Sequence, residues 1–353
     1  MKKRLIALAL VLTLGCGMVT AWAAGGSAED PLISLSYLKN SVKPQLVQSL
    51  LSSLYTTSAS GKTAAEQVVM DQTRYKEGDV IRAATGSELV VLAGNVSVSF
   101  SSGAVVNATT GSEVSSGTAL TANARYIVGE DTTASYTITS PTAVISCSGA
   151  ATLSASSTPD YNAMADALKS LSLLRGTYTG YGSGYDLEKK PSRIEAIIMF
   201  IRLLGEEDDA LACTAKHPFT DVPGWADRYV AYAYEQGYSN GIGGNKFGSA
   251  YSISASEYVE FVMRALRYSS TAHTDLRTTL SDAQKVGLLT TKECDLLNST
   301  TLLRAHLVYV SYYALSTPVS GSTTTLEQRL ISQGVFSQSA LNSAHKLVTT
   351  ARL

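Results

Sequence analysis

One pattern occurs three times between residues 161 and 316, and it limits the fold more than any other feature of the chain. In each copy a helical stretch ends at a glycine, a loop follows, and a second apolar stretch begins. From Gly176 to Arg193, Gly237 to Ala255 and Gly287 to Arg304 the spacings are 17, 18 and 17 residues. A helical pair this short cannot bury its own apolar face, so the copies must pack on one another. The spacing predicts three helical hairpins, residues 161–208, 217–268 and 275–316, around a shared axis with grooves between neighbours.

The second copy states the physics most clearly. Trp225, Tyr229, Tyr232 and Ala233 fall on one stripe of a first helix, which Gly237 ends by adopting a left-handed conformation. Ser254 and Glu257 then have capping-box spacing, and Tyr258, Phe261, Val262, Ala265 and Leu266 form the buried stripe of a second helix. The first copy repeats the device with Ser192 and Glu195, followed by Ile194, Ile197, Ile198, Ile201 and Leu204.

Upstream the texture differs. Lys2, Lys3 and Arg4, an apolar run from Leu5 to Leu14 and Ala21-Trp22-Ala23 have the order of a cleavable export signal over residues 1–23. Leu14-Gly15-Cys16 offers a lipoprotein-type alternative. The apolar run is too short to span a bilayer, and no second long one follows, so a secreted chain without a transmembrane segment is expected. Helical spacing of Leu35, Leu38, Val42, Leu46 and Leu50 marks a helical segment over residues 30–72. Residues 75–153 carry short β-branched runs separated by glycine turns, which predicts an all-β sandwich, roll or small barrel. Ser154 to Pro159 reads as a linker, and residues 323–353 as a helical tail. The fold class is therefore multi-domain α+β, a small β module followed by an all-α region of three repeats.

At this point the chain resembles the S-layer-homology family. "FTDVPGWADRYVAYAYEQGYSNGIGGNKFG" is similar to the opening half of such a repeat, and "PSRIEAIIMFIRLLG" to its second half. The Thr-Arg-Ala-Glu signature of that half reads Ser192-Arg193-Ile194-Glu195 here, and Leu303-Arg304-Ala305-His306 in the third copy. The resemblance covers about residues 161–315. It implies a three-pronged pseudo-trimer that anchors its owner non-covalently to a bacterial secondary cell-wall polysaccharide, often one bearing a ketal-linked pyruvate.

On that reading the start of a second helix receives a carboxylate, and Arg193 and Arg304 add bidentate, charge-assisted pairs. Trp225 would give an aromatic face to the sugar, Asp221 would accept from its hydroxyls, and Gly241, Gly243 and Gly244 would let the backbone approach. Each has a structural alternative. Ser192, Glu195, Ser254 and Glu257 serve as caps, Trp225 is equally suited to a core stripe, and Asp221 to capping the next helix. Arg193 and Arg304 resist such explanations, since a cation at a helix start is unfavourable; their replacement by alanine is expected to abolish binding and leave the melting temperature unchanged. Ala255 stands where the second copy should have its arginine, and Leu303 with His306 replaces the third capping box, so one or two working grooves are expected.

Other functions find little support. A net charge of -1 with 16% charged residues leaves no broad basic surface for nucleic acid. Cys147, Cys213 and Cys294 are scattered, and the four histidines show no ligand spacing, so no metal or cofactor is expected. Gly241-Ile242-Gly243-Gly244 lacks a dinucleotide-binding context, Ser183 lacks nucleophile-elbow spacing, and the acidic run Glu206 to Asp209 reads as a solvated loop. A non-enzymatic wall-anchored surface protein is the first reading. A structural subunit of an envelope lattice or appendage, acting through contacts with itself or other envelope proteins, is the alternative.

Overall fold

The computed structural model describes residues 71–176, 184–269 and 275–353, all within one compact unit, Val68–Leu353. The expected export signal and all but the last two residues of the 30–72 segment lie outside these; those two open a β-strand. An antiparallel β region comes first and a helical region follows. Among the described residues no helix is long and apolar enough to cross a membrane.

Ten strands make the β region: β1 (Asp71–Lys76), β2 (Val80–Ala84), β3 (Glu88–Ala93), β4 (Val96–Ser99), β5 (Val105–Asn107), β6 (Ser112–Val114), β7 (Arg125–Val128), β8 (Thr133–Ile138), β9 (Thr142–Ser148) and β10 (Ala151–Ser154). They form a six-stranded sheet, β1-β9-β3-β7-β5-β6, and a four-stranded sheet, β10-β2-β8-β4. Alternation along each strand decides what lies between the sheets. In β4, Val96 and Val98 are buried opposite Ile138 and Tyr136 of β8, while Ser97 and Ser99 face outward. Leu89, Val91, Tyr126 and Ile145 bring the other sheet to the same core. Strand β1, polar in sequence, is held by its antiparallel register with β9 instead of by an apolar stripe.

The stretch expected to be a linker is fastened down. Ser156 donates from its backbone to Asp79 Oδ1 at 2.8 Å and from its hydroxyl to Glu77 O at 2.6 Å, and Thr158 adds a bond to the same carbonyl. Beyond it the β region meets the helices through polar contacts. Arg74 makes two bonds to Asp166 at 3.0 and 2.8 Å, Asn162 donates to Tyr75 O, and Thr142 donates to Glu188.

The helical region contains α1 (Tyr161–Ser170), α2 (Arg193–Leu203), α3 (Glu207–Ala212), α4 (Asp227–Glu235), α5 (Ala255–Ala265), α6 (Thr279–Lys285), α7 (Thr291–Ser299), α8 (Arg304–Ala314), α9 (Leu326–Ser332) and α10 (Gln338–His345). The three second helices, α2, α5 and α8, each pack on both of the others. Their facing residues, including Phe200, Ile201, Phe261, Leu307 and Val308, are almost fully buried, each worth roughly 2 kcal/mol against exposure.

The expected hairpins do not form as such. Each first helix packs on the second helix of the preceding copy, α1 on α8, α4 on α2 and α6 on α5, and α4 packs more extensively still on α3. Around the cycle every copy lends one helix to its neighbour. Two further sequence expectations change. Gly176 does not end α1; Ser172, at φ 63°, occupies the left-handed position, and Leu173 N–H closes back to Leu168 O. Gly237 and Gly287 do close α4 and α6 in this way, through Tyr238 and Leu288. The third loop is also not a loop throughout, because Thr290 and Glu293 cap α7 inside it.

The tail repeats that arrangement. Helix α9 ends at Gly334, Ser337 caps α10, and α10 packs on α1. Arg352 then lies over the Tyr313 ring at 4.4 Å and donates to the buried Glu293 carboxylate at 2.7 and 2.8 Å.

Candidate functional site

The helix starts carry the sequence-predicted site, and the structure brings them together in an unexpected way. Ser192 and Ser254 cap α2 and α5, with Glu195 and Glu257 accepting in return from the capped backbone. In each box only one carboxylate oxygen is needed for this, Oε2. The other oxygen faces an arginine from a neighbouring copy. Arg193 Nη1 donates to Glu257 Oε1 at 2.6 Å, and Arg304 Nη1 reaches Glu195 Oε1 at 3.5 Å.

The two guanidiniums are interior groups. Arg193 is 6% exposed, sandwiched between the Phe247 and Phe261 rings at 5.3 and 5.1 Å, with Nη2 on Ser239 Oγ. Its Nε is buried without a partner among the described residues. Arg304 is 5% exposed and donates from Nε to Tyr185 O at 3.1 Å. Burial draws both guanidinium pKa values down, against the pull of Glu257 and Glu195. The helix-start N–H groups are occupied as well: Arg193 N–H donates to Tyr251 O, Arg304 N–H to Lys189 O and Ala305 N–H to Leu187 O. The expectation that these arginines sit at an unfavourable helix end for want of a structural role is therefore corrected. Each neutralises the capping carboxylate of the next copy in the cycle.

The third position in that cycle explains the departures from the repeat pattern. Ala255 stands where the arginine belongs, and the residue it would face is His306 in place of a glutamate. Both charges are absent together. His306 Nδ1 still accepts from Leu303 N–H at 3.0 Å, completing half a capping box, while its Nε2 is buried without a partner among the described residues. Burial pushes the imidazole pKa down to about 4.

In the second copy Asp221 is an organiser of loop backbone. Its carboxylate accepts from Phe247, Gly248 and Ser249 N–H at 2.7, 2.8 and 3.3 Å. Although desolvation works against the charge, these bonds hold its pKa below the usual carboxylate range. Gly241, at φ 73°, is required by packing, since a Cβ there would lie 2.4 Å from both Lys246 O and the Phe219 ring. Gly243 and Gly244 form an open turn with room around them. Trp225 is not on the α4 stripe. It sits in a short 3₁₀ turn, Gly224–Ala226, and is 66% exposed. Tyr251 and Ile242 of the same loop system are also exposed.

The acidic run opens helix α3, and Glu207 in it is buried while Asp208 and Asp209 are exposed. Glu207 is paired with Arg175 and Arg202 at 2.9 and 2.8 Å and accepts from Tyr229 Oη at 2.7 Å. Burial resists its ionisation, but Arg202 and Tyr229 hold its pKa low. Sequence reasoning missed this cluster, because Arg175 and Tyr229 lie far from it along the chain. Among the described residues no group of three or more His, Cys, Asp or Glu side chains forms a metal site.

No family model matches the chain, and no curated protein matches it. Among solved structures, procruciferin, the 11S globulin of Brassica napus, is 16% identical over 24% of this chain, with a TM-score of 0.17. The chain spans 21% of that structure's length, and a likeness this slight carries no argument.

Two measurements follow. Arg193→Ala removes an ion pair and two ring contacts and should lower stability by about 2 kcal/mol, whereas Arg193→Met, which fills the volume without charge, should cost about 1 kcal/mol or less. Denaturant midpoints decide this, and an unaltered alanine variant would refute the buried-pair account. For His306, the unfolded chain takes up a proton below about pH 6.5 and the folded chain only near pH 4. Stability is thus full above about pH 6.5 and falls toward pH 4, by on the order of 3 kcal/mol from this group. His306→Gln keeps an acceptor for Leu303 N–H and should flatten that acid limb in urea titrations.

Proposed function

We propose that this chain is a non-enzymatic protein of the bacterial cell envelope, held to an anionic wall glycan by repeats of the S-layer-homology kind. Its ligand class would be a pyruvylated secondary cell-wall polysaccharide, and its location the cell wall or surface. The resemblance of the second copy supports this reading, and the mutual packing of α2, α5 and α8 is what three repeats sharing one core would give.

The observation that carries it is the exposure of Trp225. An indole is among the costliest side chains to leave in water, and this one stands on a turn four residues after Asp221, whose carboxylate orders the adjoining loop. Exposed aromatic faces on rigid loops are suited to the apolar faces of sugar rings. Because Arg193 and Arg304 are spent internally, recognition on this reading falls to the second-copy surface around Trp225 and Tyr251, with the guanidiniums setting the angle between copies.

Trp225→Ala tests this directly. The side chain is exposed, so stability should change by no more than about 0.5 kcal/mol. Retention on purified wall sacculi should fall roughly tenfold, and sacculi stripped of polysaccharide should retain neither form. Equal retention on intact and stripped sacculi would count against a glycan ligand.

A second reading, a structural subunit acting through protein contacts, is favoured by one feature. Strand β10 is an edge of the four-stranded sheet, exposed along its whole length, and Leu153 on it is 53% exposed. Unprotected edges of this kind are templates for strand addition. If the chain assembles through it, sedimentation velocity will show oligomers without wall material, and Leu153→Lys will return them to monomer.

A further inference from the structure

With Arg193 and Arg304 buried, the cations available to an anionic ligand lie elsewhere. At the C-terminal end of α5 a cavity of about 410 Å³ opens between that helix, the turn Val319–Thr324 and α9. Its walls include Arg267 and Arg329 together with the hydroxyl residues Ser320, Ser322, Thr324 and Ser332. The helix end itself is already satisfied. Arg329 Nη1 donates to Ala265 O at 3.2 Å, and Ser320 N–H donates to Leu266 O at 2.8 Å. Arg267 is left over: among the described residues its side chain has neither an ion pair nor a hydrogen bond. The carboxylate that Arg329 feels is Glu206, which takes the Tyr238 hydroxyl at 2.9 Å and also bonds Tyr232. Two guanidiniums and no carboxylate line the cavity, which gives it a net positive charge.

The backbone at Arg267 supplies an independent observation. It adopts the left-handed conformation, φ 63°, in the turn that ends α5, with Arg267 N–H on Arg264 O and Tyr268 N–H on Met263 O. The matching position after α2 is Gly205, at φ 70°. There glycine is doubly required, since a Cβ would lie 2.7 Å from Val335. A long β-carbon-bearing side chain kept in a conformation that favours glycine is a local strain of the sort that collects at binding sites.

The geometry points to an oxyanion site in this cavity, where Arg267 and Arg329 hold the carboxylate or phosphate of an acidic saccharide unit and the surrounding hydroxyls meet its ring oxygens. Planar guanidiniums suit either anion, and the volume accommodates one sugar ring. The inference rests on the wall-glycan reading for the saccharide that bears the anion, and it places the acidic group away from the helix starts.

The test titrates the full chain with glucuronate, glucose 1-phosphate and neutral glucose, followed by calorimetry or ligand-observed NMR. Both acids should bind at about millimolar affinity and glucose at least about tenfold more weakly; the tighter acid identifies carboxylate or phosphate as the preferred head group. Arg267→Gly should weaken acid binding at least about tenfold with an unchanged or higher melting temperature, while Lys285→Ala, which removes an exposed cation outside the cavity, should leave it intact. Acid binding that survives Arg267→Gly, equal binding of glucose, or no binding of either acid at about 50 mM would overturn the site. Loss of sacculus retention only in Trp225→Ala leaves this site standing, and small-acid binding without any sacculus retention sinks the wall reading alone.

Discussion

The helical half of this protein depends on an exchange. No copy of the repeat is long enough to cover the apolar stripe of its own second helix, so α2, α5 and α8 turn toward each other and take cover from helices of neighbouring copies. That constraint ties all three copies into one core, which runs from Tyr161 to Ala344 without interruption. It also closes the helix starts against one another. The N-terminal ends of α2 and α5 meet at Ser192 and Ser252, and α8 begins against the backbone of residues 187–189.

Convergent helix starts concentrate positive dipole ends, and a buried arginine there adds to the cost. The capping glutamates offset it. Each box uses one carboxylate oxygen for its own backbone and offers the other to the guanidinium of a neighbour. The slot with Ala255 and His306 shows the same logic in reverse: where the cation is absent its anion is absent too, and a neutral imidazole keeps only the capping half of the role. Arginine in this repeat is thus bound up with the angle between copies. Among the exposed cations of the described residues Arg267 stands out because its backbone is left-handed, φ 63°.

The β region and the helices share a polar seam. Arg74 and Asp166 form a two-bond pair, and the Tyr185 hydroxyl joins it at 2.6 Å, while the carbonyl of the same tyrosine receives Arg304. A continuous set of side chains therefore runs from β1 through α1 to the start of α8. Together with Ser156 and Thr158 it makes the junction an ordered structure in which the sequence pattern had suggested only a spacer.

Much was legible in the residues because it is decided locally. Strands alternating apolar with serine, such as Val96 to Ser99, the boxes at Ser192 and Ser254, and the glycine stops at Gly237 and Gly287 all follow from steric and hydrogen-bonding rules that act within a few residues. Strands β1, β6 and β10 were not legible, since they are edges held by partners and carry little pattern of their own. What only tertiary structure decided was which copy covers which, and hence that Arg193 and Arg304 are buried, that Asp221 is committed to backbone and that Trp225 stands in water. Side chains far apart in sequence compete for the same hydrogen bonds and the same volume, and the outcome depends on distances that no spacing along the chain encodes.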